Sequence, residues 1–206
     1  MSAAPKKLDK KMKILDTAYS LFRSSSVSAT AIDDIVKAAG IARGTFYLYF
    51  KDKSDLLEEI ILYKSTEYMR EVLKKAINDF SDDNRDFLGF VRSFLNHYID
   101  FLVENKEMLP IMSKNISSCL RNLPDFYDSE IAGIYTALIK EMMTLGYTER
   151  EAQMTAYIVI DMTGSICSDA IMLGKPFTIE EIRSTVIESA LILIKNNAHK
   201  ERGDQV

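Results

Sequence analysis

An all-α fold is predicted by three observations. The 206 residues include only eight Gly and four Pro, too few for a turn-rich all-β chain. Long segments are dominated by the helix formers Ala, Leu, Ile, Met, Glu and Lys. Within them, apolar residues recur at steps of three and four, the spacing of one helical face. At 47% hydrophobic and 27% charged, the composition is that of a folded, soluble chain, long enough for one large domain or a small domain fused to a larger one.

The first helix is expected over Leu8 to Arg23, with Ile14, Leu15, Ala18, Leu21 and Phe22 on one stripe. Ser24 to Ser28 break it. Thr30, with Asp33 three residues on, reads as the cap of a second helix that turns Ile32, Ile35, Val36 and Ala39 inward and stops at Gly40. A third short helix is predicted from Ala42 or Arg43 to about Phe50. Asp52, with Asp55 behind it, then caps a fourth that runs to about Asn78. Further helices are expected over Asn84 to Glu104, Lys106 to Cys119 and Pro124 to Leu145, the last closed by Gly146. A capping box at Thr148 and Glu151 opens a helix to Leu173, ended by Gly174 to Pro176. A second box at Thr178 and Glu181 opens the final one, to about Asn197, and the tail beyond it is expected to fray.

Charge is unevenly divided. Residues 1–64 hold 11 Lys/Arg against 8 Asp/Glu, a net of +3, whereas residues 65–206 hold 15 against 22, a net of −7. A basic N-terminal module on an acidic body is one reading; a merely solvated face is the other. Cys119 and Cys167 are too few and too far apart for a disulfide framework or a zinc cluster, and read as small hydrophobes. No apolar run follows the charged N-terminus, so no secretory signal is expected. The most apolar stretch, Met154 to Leu173, contains Asp161 and Asp169, which favours a buried helix over a membrane span and a cytoplasmic location.

Between Ile41 and Leu57 the chain reads IARGTFYLYFKDKSDLL. A helix, a glycine-containing turn and a second short helix form helix-turn-helix grammar, in which the second helix enters the DNA major groove. Phe46 and Phe50 share a face assigned to the core. Arg43 and Thr45 sit in the leading turn, where a guanidinium can donate two bonds to guanine and a hydroxyl can bond a base or phosphate. Gly44 permits close backbone approach, and Leu48 can touch a thymine methyl. Tyr49 and Tyr47 offer hydroxyls to phosphates, although Tyr47 can equally pack on the core. Lys53 adds charge at the start of the fourth helix, and Thr30 could do similar duty at the start of the second.

Taken together, Thr30, Ile35, Ala39-Gly40, Gly44-Thr45-Phe46-Tyr47, Tyr49-Phe50, Lys53 and Leu56-Leu57 closely resemble the tetracycline-repressor-type (TetR) family of bacterial transcriptional regulators. The resemblance covers roughly residues 8–68, with the helix-turn-helix at about 31–50. It implies an N-terminal three-helix DNA-binding domain joined by a long fourth helix to a C-terminal helical bundle, residues 69–206, that binds effector and dimerises. It also implies a homodimer on a palindromic operator, paired through the last two helices (about 148–173 and 178–197), and a cavity for a small effector that weakens DNA binding. Three positions depart from the family pattern. Ala31 stands where a hydroxyl residue is frequent, Tyr49 where histidine is, and Ser24 to Val27 replace a glycine-containing turn.

The body supplies its own signals. Ile179, Ile182, Val186, Ile187, Ala190, Leu191 and Ile194 make a broad apolar face on the last helix; Gly164, Ser165 and Ala170 on the one before permit close approach. Either could be core or dimer surface, and a palindromic DNA partner tips the reading to a dimer. For an apolar or amphipathic effector the candidate lining is Phe90, Phe94, His97, Tyr98, Met112, Tyr135 and Met162, with Met108, Met142, Met143 and Tyr157 nearby. Core packing is the plainer reading of each. No cofactor or metal is expected, and no catalytic constellation: two His and no Gly-rich loop leave little for an enzyme. A DNA-binding protein without an effector is the remaining rival.

Overall fold

The computed structural model describes residues 3–79, 86–109 and 129–197. Every regular element among them is helical: α1 Ala3–Ser25, α2 Ile32–Ala39, α3 Arg43–Phe46, α4 Lys53–Asp79, α5 Phe87–Glu104, a 3-10 turn Lys106–Met108, α6 Ser129–Thr144, α7 Glu149–Leu173 and α8 Ile179–Asn197. The chain divides into two compact units, Met1–Lys64 and Ser65–Val206, with the division inside α4. The expected helix ends at Asn84 and Pro124, most of the expected Lys106 to Cys119 helix, and the C-terminal tail lie outside the described residues. So do Met112 and Cys119.

In the first unit the α1 stripe works as its spacing requires: Ile14, Leu15, Ala18 and Phe22 are buried, and Leu21 is half-buried. They meet Ile35, Val36 and Ala39 of α2, Phe46 and Phe50, and Leu56 and Ile60 of α4 in one core. After α1 the chain turns at Ser26, whose φ of 71° lies in the left-handed region. A serine there does what glycine usually does, at an expected cost of about 1 kcal/mol.

The cap of α2 differs from expectation. Ala31, not Thr30, stands at the N-cap, and its N–H donates to the carboxylate of Asp34 (3.0 Å), not Asp33. Thr30 is only 3% exposed, and its hydroxyl donates to the Ser26 carbonyl at 2.8 Å. The hydroxyl therefore closes the α1–α2 turn. At the other end Gly40 adopts φ 64°, its N–H donating to the Lys37 carbonyl while that of Ile41 reaches Val36. The third helix is shorter than expected. It ends at Phe46, and the chain continues in tight turns, with Leu48 donating to Thr45 and Tyr49 to Phe46. Asp52 caps α4 as its spacing suggests, accepting from Ser54 (2.8 Å) and Asp55 (2.9 Å).

In the second unit α5, α7 and α8 pack together around Leu95, Ile99, Val159, Ile187, Ala190 and Leu191, and α6 lies on α7. Both capping boxes form: Thr148 with Glu151, and Thr178 with Glu181. Gly174 ends α7 with φ 59°. Arg183 of α8 ties itself to α5 through Asp100 (2.6 Å) and Asn96, and Arg92 pairs with Glu188 at 2.5 Å.

Two faces left open between core and dimer surface are taken by the unit's own core. Val186, Ile187, Ala190, Leu191 and Ile194, offered as a dimer face, are buried within the unit itself. Gly164 and Ala170 are buried too. A Cβ on Gly164 would come within 2.6 Å of the Tyr98 hydroxyl, so the close approach it permits is to α5, not to a second chain. By length and composition α7 could cross a membrane. Asp161 and Asp169 on it, and the packing of its inner face on α5 and α8, instead suit a core helix.

Candidate nucleic-acid interface

The α2–α3 corner carries a two-sided helix. Phe46 and Phe50 are fully buried, their ring centroids 5.5 Å apart. Opposite them Arg43 and Gly44 are exposed, Tyr47 is 48% exposed and Leu48 75%. Thr45 and Tyr49 are half-buried at the flanks. Tyr47 serves both sides: its ring packs edge-on against Phe46 at 5.3 Å while half of it faces out. A Cβ added to Gly44 would meet nothing within 4 Å, so no neighbour within the protein demands glycine there. A glycine in a helix costs about 0.5–1 kcal/mol relative to alanine.

Arg43 does not project alone. Its guanidinium pairs with Asp33 of α2 at 2.5 Å. The Tyr47 hydroxyl and, next, the Asp33 carboxylate hold its pKa above the ordinary arginine value. The sequence reading missed Asp33 because it assigned that carboxylate to the helix cap, which Asp34 provides. The ten-residue spacing from Asp33 to Arg43 gave no signal without the turn geometry.

Two residues expected to face DNA are otherwise engaged. Thr30 is buried, with its hydroxyl in the α1–α2 turn, which corrects its assignment as a phosphate ligand. The Lys53 ammonium donates to the carbonyls of Val27 (2.8 Å) and Thr30 (3.0 Å), clamping that same turn to the start of α4. Lys53→Ala is expected to lower the stability of this unit by about 1–2 kcal/mol in a urea titration, because two charge-assisted bonds and their carbonyl partners are lost. A solvated phosphate ligand would leave the midpoint unmoved.

A cavity of about 70 Å³ lies in the second unit, lined by residues of α4 to α8. Phe90, Phe94 and Tyr135 line it as expected, and Met142 joins them. His97, Tyr98 and Met162 do not. His97 turns its Nε2 to Asp79 (2.6 Å), which also accepts from Ser93. Tyr98 is buried against α7 at Gly164, and Met143 and Tyr157 are exposed. The lining that sequence reasoning missed is Phe87 and a mainly aliphatic set, chiefly Met69, Leu73, Val91 and Ile131, whose pattern does not differ from ordinary core. Burial raises the pKa of the Tyr135 phenol above its ordinary value, with Glu149 adding to the effect. Cys167 is buried and pushed up to about 11, which makes it an inert core thiol.

A buried aromatic underside, an exposed leading turn and a glycine no neighbour requires are the geometry of a helix-turn-helix. Residues 14–60 match the family model described as bacterial regulatory proteins, tetR family. This N-terminal segment is similar to the DNA-binding domain of that family. The chain is 31% identical over 160 residues to the HTH-type transcriptional regulator AcrR of Shigella flexneri, covering 78% of this chain and 65% of that one. It is 33% identical over 115 residues to the HTH-type transcriptional regulator YerO of Bacillus subtilis, covering 48% and 39%. The chain thus spans less than two thirds of either relative's length. Among solved structures, a tetR family transcription regulator from Shewanella sp. PV-4 aligns with a TM-score of 0.57 at 19% identity, covering 91% of this chain and 96% of that one. FadR from Bacillus subtilis in complex with stearoyl-CoA aligns with a TM-score of 0.53 at 18% identity, covering 87% and 97%. At these identities the likeness is one of fold. The relatives are transcriptional regulators, not enzymes.

Proposed function

We propose that the protein is a cytoplasmic, homodimeric repressor that grips a palindromic operator through residues 8–68 and releases it when a small apolar molecule enters the body. The observation that carries DNA recognition is the exposed α3 face, with Arg43, Thr45, Tyr47, Leu48 and Tyr49 around an unobstructed Gly44. Arg43 reads a guanine edge, Leu48 meets a thymine methyl, and the tyrosine hydroxyls bond phosphates. Arg43→Ala is expected to weaken operator binding by about 1–3 kcal/mol and to relax preference at one base position. Footprinting on the DNA upstream of the protein's own gene, with and without candidate ligands, tests the whole reading. The absence of a protected palindrome would sink it.

A dimer is supported by α7, where Met154, Tyr157, Ile158, Ile166, Met172 and Leu173 are exposed apolar side chains, with Ser165 and Asp169 exposed among them. From the last helix only Ile192 of this kind joins them among the described residues. Release by an effector is supported by the cavity lining, which carries no charged side chain and one phenol. Such a lining takes an alkyl or aromatic group and gives nothing to a phosphate. Met69 and Leu73 of the lining and Lys53 of the DNA-binding unit belong to one continuous helix, α4, so ligand entry can act along it. At about 70 Å³ the cavity must expand to admit a molecule of the usual effector size, for which pockets run to about 300 Å³ or more. That smallness favours the rival reading, DNA binding without an effector. A thermal-shift screen with apolar compounds separates the two, since only a true ligand raises the unfolding temperature with concentration.

A further inference from the structure

The exposed face of α2 and α3 contains a residue that works against it. Asp33 lies in the first turn of α2, its side chain 66% exposed, on a surface that must approach phosphates. An anion there repels the DNA backbone wherever the protein lands, whatever the sequence. It has no capping duty to explain it, because Asp34 holds the helix start through Ala31. What it does hold is Arg43, at 2.5 Å across ten residues.

The pairing changes what Arg43 can do. A free guanidinium is a mobile cation that neutralises any nearby phosphate and so strengthens binding to every sequence. A guanidinium fixed by a carboxylate has that charge largely cancelled and its plane oriented, while its other N–H groups stay available. Two parallel N–H bonds to guanine O6 and N7 use that geometry, and phosphate binding does not need it. The carboxylate therefore penalises non-specific contact and spares the specific one. On the reading that this face binds DNA, we propose that Asp33 is a specificity-determining residue: it orients Arg43 toward a base edge and suppresses its binding to phosphates.

The test uses the full-length protein and two duplexes. One is selected by the wild-type protein from a random-sequence pool; the other is the same duplex scrambled. Asp33→Asn is expected to raise affinity for the scrambled duplex about two- to fivefold and to steepen its log–log salt slope by about 0.9, one extra phosphate neutralised. The ratio of selected to scrambled affinity is expected to fall about fivefold or more as the oriented base contact loosens. In an Arg43→Ala background, Asp33→Asn should leave that ratio unmoved, since the residue to be oriented is gone. The inference is overturned if Asp33→Asn strengthens both duplexes by the same factor, or if it lowers the ratio equally with and without Arg43. A wild-type protein that selects no sequence would instead overturn the DNA-binding reading itself, and this inference with it.

Discussion

Phe46→Ala is expected to abolish operator binding without altering a single residue on the exposed face. The ring is fully buried, touches Phe50 at 5.5 Å and backs Tyr47 at 5.3 Å. Truncating a buried Phe costs about 3–5 kcal/mol, a large fraction of the 5–15 kcal/mol that holds a typical domain. Besides these rings the short helix is tied to α2 by the exposed Arg43–Asp33 pair, which holds far less. Four residues of α-helix are far too few to persist alone, so α3 depends on Phe46, with Phe50 just beyond it, being buried in the core of the unit. A gel shift should show binding lost, and urea unfolding should show a lowered midpoint or an added early transition. Phe46→Leu, which keeps most of the volume, should recover most of both. An alanine variant as stable as the wild type, yet unable to bind, would mean that Phe46 acts on DNA directly and that the two-sided reading of α3 is wrong.

That two-sided reading was available from the sequence because helical angle separates residues four apart from their neighbours. Phe46 and Phe50 fell on the inner face for that reason, and Gly40, Asp52, Thr148 and Thr178 marked their helix ends because caps need particular chemistry at fixed offsets. What failed was anything decided by where a side chain goes after the helix is in place. Thr30 and Asp33 fit a capping pattern one residue out of register, and Ala31 with Asp34 took the role instead. Lys53 read as an exposed cation, and the carbonyls of Val27 and Thr30 that hold it lie 26 and 23 residues earlier. No local pattern encodes that meeting.

The cavity shows the same limit more severely. Phe90, Phe94 and Tyr135 were found because aromatics stand out, whereas Met69, Leu73 and Val91 line the same space with residues that also fill cores. His97, a lining candidate more plainly read as a structural histidine, is paired with Asp79. Packing alone decides whether an apolar stripe closes completely or leaves about 70 Å³ open. The final helix is the converse case: its apolar face is real, but the unit's own core takes it, leaving α7 with the exposed apolar side chains.

Ile166→Glu is the substitution that addresses this face, and it is expected to convert a dimer to monomers. Ile166 is 37% exposed and stands at the edge of the outer face of α7, between Met154 and Leu173 in sequence. It is partly covered by its own unit, so a carboxylate there also costs some folding stability, and Ile166→Gln, uncharged, serves as the control. In a two-fold interface the same change occurs twice, bringing two carboxylates toward one apolar seam. A desolvation penalty of about 2 kcal/mol per copy weakens association by about 4 kcal/mol, or roughly a thousandfold. Sedimentation at micromolar concentration should show the wild type as a dimer and the variant as a folded monomer, whose unfolding midpoint is lower and no longer rises with protein concentration. Operator affinity should fall with it, since one domain then holds one half-site, while the base preference within that half-site stays the same. If the variant remains dimeric, the seam lies elsewhere than α7. If the wild type sediments as a monomer even at high concentration, the exposed face has some other occupant and the palindromic operator loses its structural basis.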